Sequence, residues 1–241
     1  DAASVQIDVD LNFHTLQKNA KKQLVKAFEQ IKRYARENGM DTVKIGYSLR
    51  EGFPSYGIID SCRRHKPGIV IMGTKGEGFR SNELVGDVAM DVAKEVNIPL
   101  LVIPEKAVLK DIYEVKNVLY AARLDDNDYA AIRKLAVILS AFKVNIWCIN
   151  CTDEPENAIA RARLSSLKDY AKKTIKKANI QFELVKGKYC AETFRGFISG
   201  RRIDLFAVTM HKRNLLSRLF NPSLTRKMLA EADIPMLIFP D

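Results

Sequence analysis

The chain has 241 residues, 47% hydrophobic and 28% charged, with 12 Gly and 8 Pro, which excludes a disordered or collagen-like polypeptide. Its longest apolar runs, such as Pro99 to Pro104, fall far short of the roughly 20 residues that a membrane helix needs. The formal charge of +10 raises nucleic acid or an anionic membrane as partner. Most of that excess falls in residues 111–241 with no nucleic-acid motif beside it, so a solvated basic face is the favoured reading.

Residues 1–15 carry no strong period and read as a loop. From Leu16 to Asn38 apolar residues recur at three and four (Leu16, Ala20, Leu24, Ala27, Phe28, Ile31, Tyr34, Ala35), the mark of an amphipathic helix. Gly39 suits its C-terminal cap. Val43 to Tyr47 alternates like a strand, and Pro54 to Arg64 reads as a helix with Tyr56, Ile59 and Cys62 turned inward. A strand at 69–72 then runs into Gly73-Thr74-Lys75-Gly76. A polar loop leads to Gly86-Asp87, a helix to Glu95 and a strand at Leu100–Ile103. A strand that runs into a glycine-rich turn and a helix N-terminus presents backbone N–H groups to a phosphate. Strands that alternate with helices imply an α/β protein, with a parallel sheet covered on both faces.

After a charged connector, 105–114, the pattern begins again. Asn97-Ile-Pro-Leu-Leu-Val-Ile-Pro-Glu105 matches Asp233-Ile-Pro-Met-Leu-Ile-Phe-Pro-Asp241 at a shift of 136 residues, which also places Ile69–Met72 on Leu205–Val208. One residue less places Gly52 on Gly187. Two repeats are expected, residues 1–110 and 111–241. The second opens with a strand at Lys116–Ala122 and a helix with Ala131, Leu135, Ala136 and Leu139 inward. A strand at Val144–Ile149 and a basic helix at about Asn157–Ala178 follow. The first repeat has no counterpart of that opening strand, helix and strand. Roughly 35 to 45 residues are expected to be missing from it, either because the chain is cut, which is favoured, or because another chain fills the gap.

Gly73-x2-Gly76-x9-Gly86 after a strand, the closing Ile98-Pro-Leu-Leu-Val-Ile and Arg50-Glu-Gly52 ahead of a helix together resemble the universal stress proteins, in both halves. The resemblance implies two doubly wound parallel-sheet repeats packed as a pseudo-dimer, the closing strands Leu100–Ile103 and Met236–Phe239 pairing with each other. It further implies that the backbone and glycines of the loop wrap an adenine nucleotide, ATP above all. Gly73, Thr74, Lys75, Gly76, Gly86 and Asp87 are then the binding residues, with Mg entering only with nucleotide. The family has Ser or Thr after the last glycine; Asp87 cannot donate a hydrogen bond when ionised and repels polyphosphate, though it suits a helix N-terminus. The family's adenine-side Asp falls at Arg123 in the second repeat. Thr209, Lys212 and Pro222 replace the three glycines there, so that copy is expected to be degenerate.

Cys148-Ile-Asn-Cys151 has a metal-like spacing but ends a strand, with no second pair or nearby His, so structural cysteines are expected. His14, His65 and His211 sit in no catalytic motif, and no GK[ST] follows the glycines. The resulting expectation is a cytoplasmic, non-catalytic stress-response protein with adenine-nucleotide binding in the first repeat, able to form a homodimer and without a role on nucleic acid. The alternative is a nucleotide-independent interaction module.

Overall fold

The computed structural model describes residues 2–73, 87–107, 114–175, 179–187, 190–210 and 234–240. The chain divides into two compact units, 1–53 and 54–241.

The first unit holds α1 (Ala2–Glu37) and a segment, 38–53, without strand or helix. The helix therefore takes in residues 2–15, where a loop was expected. Gly39 closes it at φ +69°, with Met40 N–H donating to Ala35 O at 2.8 Å, as a left-handed cap requires. Residues 44–51 run back along the helix: Phe28 and Tyr47 rings lie 4.9 Å apart, and Gln17 Nε2 donates to Glu51 Oε1 at 2.9 Å. The strand expected at Val43–Tyr47 does not form. A strand needs a neighbour to take its N–H and C=O groups, and no strand exists among the described residues of this unit. The apolar stripe of the helix is also more open than its period implies, with Leu16, Ile31 and Tyr34 all exposed. Ala35 alone among the unit's described residues is fully buried.

The second unit is α/β. It comprises α2 (Pro54–His65), β1 (Val70–Gly73), α3 (Asp87–Glu95), β2 (Leu100–Ile103), β3 (Asn117–Ala121), α4 (Asp126–Ile138) and β4 (Asn145–Thr152). Then come α5 (Ala158–Thr174), β5 (Asn179–Lys186), α6 (Cys190–Arg201), β6 (Leu205–Met210) and β7 (Met236–Pro240). The strands form one sheet in the order β1-β2-β7-β6-β3-β4-β5. Every neighbouring pair is parallel except β2 and β7, which run antiparallel with Leu100 opposite Ile238 and Val102 opposite Met236. The expected repeat boundary near residue 110 thus falls inside one sheet, which draws strands from both sides of it.

Apolar faces lie on both sides, as a parallel sheet demands. One face packs Leu119, Ile149, Phe206 and Met236 against Met90 of α3 and Phe194 and Ile198 of α6. The other packs Tyr120, Ala207, Leu237 and Phe239 against Ala131, Ile132 and Leu135 of α4 and Leu167 of α5. Beside the first face, α2 sets Ile59 and Cys62 against Val92 and Val96. Tyr56, expected to turn inward on α2, is 72% exposed, because the helix touches α3 along the stripe of Ile59 and Cys62 instead.

The sequence reading left out β5 and α6. Asn179-Ile-Gln-Phe-Glu-Leu alternates without a break, and its Ile180, Phe182 and Leu184 are the half-buried ones. Between β5 and α6 sits Gly187, where a Cβ would meet Thr193 Oγ1 at 2.2 Å and Cys151 Sγ at 3.0 Å, so only glycine lets α6 approach so closely.

Candidate functional site

The apolar strand β1 ends at Gly73, opposite Ile103 of β2. Thr74, Lys75, Gly76 and Gly86 lie outside the described residues. The chain resumes with Asp87 as the first residue of α3, which Ala89, Met90 and Ala93 seat on the sheet. Gly73 and Asp87 therefore mark a strand end and a helix start on either side of residues 74–86.

The corresponding place in the second half is better defined. Position 209, the counterpart of Gly73, holds a threonine with 1% exposure whose Oγ1 lies 3.0 Å from the Tyr120 hydroxyl. Tyr120 also donates to Asp128 Oδ1. The other oxygen of Asp128, which is fully buried, accepts from the backbone N–H of Arg123 (3.0 Å), Leu124 (2.6 Å) and Asp125 (3.3 Å). Leu124 takes φ +64° to aim these amides inward. Three convergent amides make a concavity suited to an anion, and here the chain fills it with its own carboxylate. Asp125 caps α4: its Oδ1 accepts from Asn127 N–H at 3.1 Å, and it forms a capping box with Asp128, each side chain accepting from the other's backbone N–H. Burial raises the Asp128 carboxyl above its ordinary range, against the opposing hydrogen bond from Tyr120. Burial, then the nearby Asp128 charge, pushes the Tyr120 phenol well up.

Arg123, two residues past the end of β3, is largely buried, its side chain 17% exposed, and pairs with Asp125, Nε to Oδ2 at 3.2 Å. It borders a cleft of about 580 Å³ at the carboxyl ends of β3 and β4, together with Asn150, Thr152, Glu154, Asn157 and Arg163. Open α/β sheets bind ligands at this end of their strands. Asn150, buried, donates its Nδ2 to Ala122 O at 2.9 Å, tying the two strand ends together. The N-terminal amides of α5 are already in use, since Asn157 Oδ1 accepts from Ile159 and Ala160 at 2.9 and 3.3 Å. Sequence reasoning singled out Arg123 here and missed its companions. The polar run Asn150 to Asn157 after an apolar strand was the available signal.

Cys148 and Cys151 stand three apart on β4, on opposite faces of the sheet, so one bound metal cannot take both. No metal-like cluster of His, Cys, Asp and Glu occurs among the described residues. His14 and His65 are exposed, and His211 lies outside the described residues. No helix among the described residues is long and apolar enough to cross a membrane.

Residues 5–104 match the family model described as the universal stress protein family. A universal stress protein from Methanocaldococcus jannaschii is 34% identical over 77 residues, 32% of this chain and 44% of that relative, so the match spans less than half of it. A universal stress protein structure from Archaeoglobus fulgidus DSM 4304 superposes with a TM-score of 0.67 at 13% identity, covering 96% of this chain and 79% of that one. A putative universal stress protein structure from Pseudomonas aeruginosa gives 0.58 at 11% identity, over 90% and 78% of the two chains. At these identities the structural likeness is one of fold.

Proposed function

We propose that the chain, whose residues 5–104 match the universal stress protein family model, is a non-catalytic regulatory member of that family whose first half senses an adenine nucleotide. The observation that carries this is the contrast between two equivalent loops. The first keeps glycine at 73, 76 and 86 between a strand and a helix, while the second has Thr209, Lys212 and Pro222. Glycines that let a phosphate approach the backbone are retained at one site. At the other, the 209 hydroxyl is turned to a buried tyrosine and the neighbouring amides are held by Asp128. Nucleotide bound there changes a surface that another protein reads. We read residues 1–110 and 111–241 as two repeats, and the antiparallel register of Leu100–Val102 with Met236–Ile238 supports a pairing of equivalent closing strands.

Titration calorimetry of the full chain with ATP and with AMP, with and without magnesium, tests this. Micromolar binding that a Gly76→Arg variant loses is the expected outcome; equal heats from variant and parent sink the loop assignment.

A second reading, an interaction module indifferent to nucleotide, is favoured by Asp87, whose negative charge repels polyphosphate where the family carries a hydroxyl. An Asp87→Ser variant that gains ATP affinity while the parent binds none supports it. Nucleotide that co-purifies with the parent eliminates it.

A further inference from the structure

The cleft at the carboxyl ends of β3 and β4 holds polar groups that the fold itself does not use. Asn150 is 6% exposed and lines this cleft. Its Nδ2 donates to Ala122 O at 2.9 Å, so Oδ1 is the acceptor left over, and no described residue donates to it. A buried carbonyl without a donor is costly until a ligand supplies one. Arg163, in the second turn of α5, also lines the cleft and makes no ion pair or hydrogen bond with any described residue. The Asp153 and Glu154 carboxylates are likewise unpaired among the described residues. Asn157 gives its Oδ1 to the α5 amides and keeps its Nδ2 to donate. A second recess, of about 200 Å³, shares Leu124 and Arg163 with the cleft and adds Tyr129 and Leu167, along with Asp125 and Asp126.

We propose that this cleft binds a free α-amino acid with an apolar side chain, a ligand of a different class from the nucleotide of the first half. Its lining carries two guanidinium groups, Arg123 and Arg163, and two carboxylates, Asp153 and Glu154. A net-neutral ligand bearing both signs suits that balance. Polyphosphate does not, because Asp153 and Glu154 repel it and Asp125 and Asp126 of the recess add to the repulsion. The ligand carboxylate goes to Arg163 and Asn157 Nδ2, a charge-assisted contact. Its ammonium donates to Asn150 Oδ1 and to the carboxylates of Asp153 and Glu154. Its side chain enters the recess against Leu124 and Leu167, since Arg163 borders both spaces. The cleft volume of about 580 Å³ falls in the range of roughly 300–1,000 Å³ usual for small-molecule sites. Every residue named lies between 123 and 167, so the site is built without the glycine loop.

The probe is L-leucine, titrated by calorimetry into the full chain without nucleotide and located by amide NMR shifts. Saturable binding with a dissociation constant of about 0.1 mM, ordinary for so small a ligand, is expected, with the shifts centred on amides 150–163. Glycine, which lacks the side chain, and leucine amide, which lacks the carboxylate, should each bind at least tenfold more weakly. Arg163→Gln should weaken L-leucine at least tenfold yet leave both leucine amide binding and the urea midpoint unchanged. Gly76→Arg, which tests the first-half loop, should bind L-leucine as the parent does, so the two readings fail separately. No saturation up to about 10 mM overturns the proposal, as do shifts that avoid residues 150–163. Leucine amide that binds as tightly as L-leucine overturns it in favour of a simple amine. ATP that displaces L-leucine and shifts the same amides overturns it in favour of a second nucleotide site.

Discussion

Asp128 is fully buried yet satisfied on both oxygens, by the Tyr120 hydroxyl on one side and three backbone amides on the other. Removing the phenol with Tyr120→Phe leaves a buried carboxyl oxygen and the Thr209 hydroxyl without their partner. A loss of about 1–3 kcal/mol in urea denaturation is expected. The same site carries a pH signature. Burial raises the folded-state pKa of Asp128, so the folded protein keeps a proton that the unfolded chain releases near its ordinary value of about 3.9. The stability that this proton contributes is complete below that value and is lost as pH rises through the folded pKa. The urea midpoint of Asp128→Asn should therefore fall less steeply than the parent's as pH rises above about 4. Equal slopes in the two proteins would rule out Asp128 as the source. In the sequence this aspartate looked like one of several polar residues after a strand. Its role depends on Tyr120 and Thr209 arriving from two different strands.

Elements that read alike in sequence fared differently. The stretch Ile45, Tyr47, Leu49 ahead of Gly52 repeats Ile180, Phe182, Leu184 ahead of Gly187. The later copy is β5, paired with β4 along its whole length, and the earlier copy is no strand. Alternation names the face a strand would bury, but the ladder needs a neighbour with open N–H and C=O groups. Residues 5–13 make the same point: the loop reading passed over a short alternation of Val5, Ile7, Val9, Leu11 and Phe13, and their backbone is helical. A helix closes its hydrogen bonds within itself and needs no partner. Hydrogen exchange followed by mass spectrometry should find amides 44–51 exchanging at least a hundredfold faster than amides 179–186, whose ladder is intact. Similar protection in both segments would show that the first segment has found a strand partner.

Across the whole molecule, the β2–β7 junction joins strands from the two ends of residues 54–241 into one sheet, with Leu100 and Met236 each almost wholly buried. That sharing makes the unit a single cooperative body. Met236→Ala should cost about 2–5 kcal/mol and speed exchange in β1 and β2 as well as in β6 and β7. A second, unaffected unfolding transition for 54–104 would contradict the shared core.

By itself the sequence determined the alternation of strands and helices through most of residues 54–241, the 136-residue repetition, the two closing strands and the spacing of Gly73, Gly76 and Gly86. All of these rest on spacing, and spacing is local. It also showed which loop lost its glycines. The tertiary structure alone decided which apolar segments found partners, because burial and strand pairing are properties of neighbours. It placed Asp128 in the amide concavity of the second half and covered Ala207 while leaving Ile71 exposed. It joined Leu100 to Ile238 across 138 residues of chain, a pairing that only a shared sheet can make.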